Sequence, residues 1–280
     1  MTGINKTSLF DKLTDKQLSD YLSRLQTIYG CKTRKGLLFG IHKNHILNIP
    51  FENIDIILNK NVSLDIKNKT FEKIIKNKRG GCCFELNGLF ACLLQKLEYQ
   101  FKICFARVLW KKKASDYPVR DHKVLLVNFS DSIYLCDVGF GSNALIYPIP
   151  IKYDMTHTQY NRELRIVTFP PYQYVLQIRR YTEWENCYAF DDSPCHPNDF
   201  IHSNYYFNFS PDSTFKKEFF CILPTKNGCL SIIDKLFTKI QNNGKEVFFI
   251  KEYTTMENYL EKYFKIKNID AISLYNRLNF

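Results

Sequence analysis

Ten cysteines are scattered through the 280 residues, and one of them, Cys83, stands where a nucleophile would be useful. The run Arg79-Gly80-Gly81-Cys82-Cys83-Phe84-Glu85 closes a polar stretch and opens the most strongly periodic apolar segment of the chain. That segment carries Leu86, Leu89, Phe90, Leu93, Leu94 and Leu97 on helical spacing. A helix N-terminus presents unsatisfied N–H groups and partial positive charge, which stabilise a thiolate in the first turn. The same N–H groups suit the oxyanion of a tetrahedral intermediate. Two preceding glycines would let the backbone turn sharply and leave space for a substrate. Taken alone, the segment reads at least as readily as a Gly-rich loop before a core helix with two buried cysteines.

A thiol nucleophile needs a base, and the base needs an orienting group. Of the six histidines, His122 precedes the apolar run 123–127, and Asp137 ends the next run, 133–137. A hairpin-length connection over 128–131 sets His122 and Asp137 opposite each other, with Cα atoms about 4.5–5.5 Å apart. From there a carboxylate can fix an imidazole tautomer. A single histidine at a strand end is ordinarily a surface residue; an opposed His–Asp pair downstream of a Gly-Gly-Cys helix start turns the reading towards catalysis.

The elements that must hold these groups are legible in outline. Helical rhythm runs over 9–29, starting near the capping signal Thr14-Asp15, then over 35–45, 68–77 and 83–97. From residue 102 the pattern changes to short runs rich in Val, Ile, Tyr and Phe at 102–110, 123–129, 132–138, 164–169 and 172–181, the signature of antiparallel strands. Residues 191–199 read as a linker. Strand-like pieces at 219–223, 229–234 and 246–250 then precede a helix over 255–264. Helices followed by strands and a mixed segment predict an α+β protein of three parts, since a doubly wound sheet would alternate the two throughout.

Composition narrows the function classes. The chain has 45% apolar residues and a formal net charge of +11, with no repeat and no low-complexity tract. Disorder and collagen-like architecture are excluded. No apolar run reaches the roughly 18 residues of a membrane-spanning helix, and the first residues lack a secretory signature. A soluble, cytoplasmic protein with reduced cysteines is expected, with no membrane association. The positive charge favours an acidic partner such as nucleic acid, an anionic surface or a phosphorylated small molecule, and biased codon usage explains it equally well.

Several motifs together resemble one family. Arg79-Gly80-Gly81 with Cys83 and Glu85, then Arg120 and His122 entering an apolar strand, then Asp137-Val138-Gly139-Phe140-Gly141 look like the signature of the arylamine N-acetyltransferases. Further matches are Tyr21-Leu22-Ser23-Arg24, Ile49-Pro50-Phe51-Glu52-Asn53-Ile54, Ala106-Arg107-Val108, and Pro197, Asp199, Phe200, Asn204, Ser213 and Phe215. The resemblance spans about 15–215 and weakens over the last 65 residues. It implies an N-terminal helical bundle (1–98) carrying the nucleophile, an antiparallel β-barrel (99–193) carrying His and Asp, and a linker with an α/β lid (194–280), around a core similar to papain-like cysteine proteases.

The family's chemistry, carried over, makes Cys83, His122 and Asp137 a catalytic triad. It would transfer acetyl groups from acetyl-CoA to arylamines, hydrazines or N-hydroxyarylamines by a ping-pong route, with no metal. Phe140 matches the position that contacts the aromatic acceptor, and Arg79 and Glu85 match structural supports of the loop. Lys111, Lys112 and Lys113 lie on the side where CoA phosphates would enter, although a solvated charge run is the stronger reading of the residues. Asp121, where the family often has a small polar residue, either raises the pKa of His122 or points to solvent. Cys82 occupies a variable position and reads as an oxidation-sensitive neighbour. His42 and His45 have the spacing of a metal pair but no third ligand in view. A thiol hydrolase or transglutaminase-like enzyme is the competing enzymatic reading; a nucleic-acid-binding protein is the competing non-enzyme, with no aromatic-basic motif to support it.

Overall fold

The computed structural model describes residues 12–26, 31–112, 116–180, 182–242 and 244–278. Helix α1 (Asp15–Arg24) begins where Thr14 accepts from the Gln17 N–H and the Gln17 side chain accepts from the Thr14 N–H, a reciprocal cap. The remainder of the predicted 9–29 helix lies partly outside the described residues. Helix α2 (Arg34–Asn48) is capped by Thr33 and runs past its predicted end at 45. After β1 (Phe51–Glu52) and the short α3 (Ile54–Ile57), the helix expected over 68–77 is two wide turns of π-helix, Ile66–Thr70 and Glu72–Lys76. It begins earlier because Asp65 caps the Asn68 N–H.

Helix α4 (Cys83–Lys96) is almost wholly buried, and its leucines and phenylalanines form the centre of the largest apolar cluster. Polarity on such a helix is therefore conspicuous: Glu85 and Asn87 are buried with the rest.

An eight-stranded antiparallel sheet follows, built from β2 (Phe101–Val108), β3 (His122–Asn128), β4 (Ile133–Cys136), β5 (Ile149–Pro150), β6 (His157–Gln159), β7 (Arg162–Phe169), β8 (Tyr172–Arg180) and β9 (Glu183–Phe190). Its order is β5-β4-β3-β2-β9-β8-β7-β6. The chain leaving β5 reaches the opposite side through a bridge between Tyr153 and Ile166, which draws the sheet into a nearly closed barrel. Strand β9 escapes sequence reading because its first half is charged and solvent-facing while only Cys187 to Phe190 are buried.

The predicted hairpin register needs correction. Strands β3 and β4 pair Asn128 with Ile133 and Leu125 with Cys136, so the loop is 129–132, closed by the Phe129 N–H on Ser132 O. His122 is thereby paired with Ala106 of β2, and Asp137, just past β4, is its diagonal neighbour rather than its opposite.

Past the 191–199 stretch, α5 (Ile201–Phe209) and α6 (Thr214–Lys217) lead into β10 (Phe220–Thr225), β11 (Gly228–Ile233), β12 (Leu236–Gln241) and β13 (Gly244–Phe249). These strands form a second antiparallel sheet in order β1-β10-β11-β12-β13. Helices α7 (Tyr253–Phe264) and α8 (Ala271–Arg277) pack on it through Met256, Leu260, Phe264 and Leu274. Because β1 belongs to this sheet and Phe51 bridges Gly81, the loop before Cys83 is tied to the C-terminal part of the chain.

Candidate active site

A buried ionic cluster fixes the loop before Cys83. Arg79 pairs with Glu52 at 2.8 Å and Asp55 at 3.1 Å, and Lys73 pairs with Asp55 at 2.7 Å and Glu85 at 3.0 Å. Glu52 also accepts from the Ile54 and Gly80 N–H groups, and Glu85 from the Cys82 N–H. Burial opposes the charge on Lys73, but Glu85, Glu52 and Asp55 reverse this and hold it above the ordinary lysine range. Arg79 and Glu85 thus hold the loop in place. The glycines serve packing: a Cβ on Gly80 would stand 2.1 Å from Pro50 O, and neither Gly80 nor Gly81 has positive φ. They let the loop lie against the Pro50–Glu52 backbone, which replaces the expected sharp turn and substrate space.

Cys83 is the first residue of α4, and its Sγ lies 3.9 Å from Asp121 O. The neighbouring Cys82 directs its sulfur to Glu52 O at 3.5 Å and is 2% exposed; burial pushes its thiol well above the usual range, which removes the basis for oxidation sensitivity.

His122 Nε2 meets Asp137 Oδ2 at 2.7 Å, and both side chains are buried. Asp137 Oδ1 accepts from Asn87 Nδ2 at 2.8 Å and from the Gly139 N–H at 2.9 Å. With Nε2 engaged, Nδ1 is the ring nitrogen left to Cys83, which also interacts with the imidazole. Burial works against a charged His122, but the charge and hydrogen bond of Asp137, with Cys83, raise it to about 10. Asp137 is held below the ordinary carboxylate range: burial opposes this, and His122, Asn87 and Gly139 outweigh it. Chemically, this arrangement keeps the imidazole of His122 protonated at neutral pH, within reach of the Cys83 sulfur.

Three supporting residues escape sequence reading. Asn87, one turn beyond Cys83, donates to Asp137 and to Lys123 O at 2.7 Å and accepts from the Val138 N–H at 2.9 Å. Its signal is a polar residue amid the apolar face of the helix. His42 accepts from the Asp137 N–H through Nε2 at 3.1 Å, and its Nδ1 donates to Ile146 O at 3.2 Å. Burial keeps it neutral, lowered to about 4. The metal-pair spacing of His42 and His45 therefore has a different use at His42, and among the described residues no group of three or more His, Cys, Asp or Glu side chains is gathered as a metal site. Tyr188 of β9 lays its ring 5.2 Å from that of His122 and 4.8 Å from that of Phe140.

Phe140 is half-buried with its ring 5.2 Å from His122. It is carried by the turn after Asp137, where Gly139 is forced by close approach: a Cβ would lie 2.8 Å from Asn87 Nδ2 and 2.9 Å from Cys83 Cα. Asp121 turns neither to solvent nor onto the imidazole, since Oδ1 accepts from the Val108 N–H at 3.2 Å, and burial raises its carboxyl. Lys111 and Lys112 are exposed, Lys112 close enough to act electrostatically on Asp121; Lys113 lies outside the described residues.

The fold thus joins a helix that begins at Cys83 to a barrel that carries His122 and the turn with Asp137. The N-acetyltransferase family profile matches residues 37–271. The arylamine N-acetyltransferase of Escherichia coli K12 is 29% identical over 226 residues, covering 80% of this chain and 79% of that protein. Among solved structures, the Salmonella typhimurium arylamine N-acetyltransferase superposes with a TM-score of 0.86 at 26% identity, over 95% of this chain and 98% of that one. The Mycobacterium marinum enzyme, solved in complex with CoA, has the same fold, with a TM-score of 0.86 at 24% identity over 93% and 97% of the two chains. The chain belongs to the arylamine N-acetyltransferase family.

Proposed function

We propose that the protein is an acetyl-CoA-dependent arylamine N-acetyltransferase whose catalytic residues are Cys83, His122 and Asp137. The observation that carries this is the meeting of Cys83, at the first turn of α4, with an imidazole whose far nitrogen is bonded to buried Asp137 at 2.7 Å. The Cys83 thiolate attacks the thioester carbonyl, and the acetyl–sulfur bond of the donor breaks with its electron pair leaving on CoA. The departing sulfur takes the His122 proton. An arylamine, hydrazine or N-hydroxyarylamine, neutral at pH 7, then attacks acetyl-Cys83; His122 takes the amine proton and the electron pair of the broken C–S bond returns to Cys83.

Phe140, beside His122 and half-buried, is assigned to contact the aromatic acceptor, an edge-to-face or stacked partner for the ring. Lys111 and Lys112, with Lys113, are assigned to the CoA phosphates; the exposure of Lys111 and Lys112 supports this. The three-part division at 1–98, 99–193 and 194–280, the papain-like core and the metal-free chemistry belong to the same proposal. So does a cytoplasmic setting without membrane or nucleic-acid partners. None of the ten cysteines is in a disulfide, and no helix among the described residues is long and apolar enough to cross a membrane.

A panel of arylamines and hydrazines assayed with acetyl-CoA tests the assignment. Amine-dependent release of CoA, lost in Cys83→Ala, is expected. Turnover of peptide amides without amine acetylation would establish the hydrolase instead, and salt-sensitive nucleic-acid binding without turnover the binding protein.

A further inference from the structure

Lys123 follows His122 in β3, and successive strand side chains leave opposite faces. His122 joins Phe140 and Tyr188, while Lys123 passes to the α4 side. There its Nζ donates to Phe84 O at 3.2 Å and lies 4.4 Å from the centre of the Phe200 ring and 5.5 Å from that of Phe84. The residue is 2% exposed. Gly88 opens the space, since a Cβ there would stand 3.5 Å from Nζ and 2.8 Å from Ile66 Cδ1.

A buried ammonium is ordinarily matched by a carboxylate. Among the described residues none forms an ion pair with Lys123. The ionisable groups that face it are thiols: Cys83 and Cys92 of α4, and Cys195 in the stretch after β9, with Cys83 the strongest influence. Burial pushes the Cys195 thiol up, so that group is neutral at pH 7.

We propose that Lys123 is a positioning residue whose ammonium, buried beneath the first turn of α4, compensates the negative charge of the Cys83 thiolate. The inference rests on Cys83 being the acyl acceptor. The resting site, with thiolate, imidazolium and Asp137 carboxylate, carries one excess negative charge, and Lys123 cancels it. When the amine forms its C–N bond with acetyl-Cys83, the C–S bond breaks, its electron pair returns to Sγ, and His122 takes the amine proton. The same ammonium then stabilises the sulfur as leaving group. Burial lowers Lys123 to about 8, so the compensating charge is present at neutral pH and lost in mild alkali.

Lys123→Met, close in length and apolar, tests this through the pH dependence of Cys83 alkylation by iodoacetamide. The midpoint of the profile is expected to rise by on the order of one pH unit. The melting temperature, read beside the profile, separates this shift from a loss of packing. A lower melting temperature with an unchanged alkylation profile would assign Lys123 a packing role and overturn the proposal. On the wild-type protein alone, a second inflection near pH 8 is expected in the same profile, and a curve without it is equally decisive against. Absence of acetyl-Cys83 in the wild type would sink the proposed function; acetylation with an unshifted Lys123→Met profile sinks only this inference.

Discussion

His122 and Asp137 are bonded at 2.7 Å although they sit two residues out of register in the hairpin that carries them. The diagonal lets Asp137 leave β4, where its N–H is held by His42 and its carboxylate by Asn87 and Gly139, and still reach the imidazole. Asp137→Asn keeps the shape but removes the charge that raises His122 to about 10. Acetyl transfer should fall by about 10²–10⁴-fold, with slower Cys83 alkylation at neutral pH, measured by steady-state kinetics and iodoacetamide trapping. Unchanged alkylation and turnover would remove the orienting role.

Asn87 satisfies three buried partners at once. Asn87→Ala leaves Asp137 Oδ1 one donor short and strands the Val138 N–H, a loss of about 2–4 kcal/mol in denaturant unfolding. Its kcat should drop with it, because Asp137 is less firmly aimed. A variant within 0.5 kcal/mol of wild type, roughly the scatter of a neutral surface change, contradicts this.

Gly139→Ala forces a Cβ onto Asn87 Nδ2 and Cys83 Cα. The turn carrying Phe140 must shift, so both the first-step acetylation rate and the affinity for aromatic acceptors should fall, with a stability loss of about 1–3 kcal/mol. Pre-steady-state acetylation and acceptor KM read the two effects separately. If neither moves, the close approach has no part in aligning the site.

The histidines give pH dependence of opposite sign. His42 is lowered to about 4 by burial, so between that value and the unfolded value of about 6.5 the unfolded chain binds a proton that the folded chain does not. Its contribution is complete above 6.5 and is lost as pH falls, amounting to about 3 kcal/mol by pH 4. His122, raised to about 10, contributes fully below about 6.5 and loses its effect as pH rises through 10. Melting temperatures of wild type should therefore decline from pH 6.5 to 4, and those of His42→Gln less steeply. Parallel slopes in the two proteins would show that His42 is not the titrating group.

What the sequence reveals of this site is its local part. Helical spacing after the polar Arg79-Gly80-Gly81 stretch locates Cys83 at the start of α4, and chain order brings His122 and Asp137 onto neighbouring strands. The register was read two residues short because Asn128 pairs within the strand and the loop falls on 129–132, a choice made by tertiary packing of Phe129 against Tyr99 and Tyr134 as much as by turn residues. Asn87 and His42 become pins only once helix and barrel meet: the polarity of Asn87 in an apolar helix marks it, but its partners lie on the barrel. Gly80 and Gly81 read in sequence as a sharp turn, yet in the fold a Cβ on Gly80 would strike Pro50 O and one on Gly81 the Glu85 side chain. In the five-stranded sheet β10, β11 and β13 are legible as strands, whereas β12 dilutes its apolar residues with Thr, Lys and Gln and is not.

The most direct test of the whole account is the intact mass of the protein after brief exposure to acetyl-CoA without acceptor, followed by peptide mapping. One acetyl group on Cys83, discharged by an added arylamine and absent in Cys83→Ala, is the predicted result. No adduct on the wild-type protein, or an adduct that persists in Cys83→Ala, would contradict it.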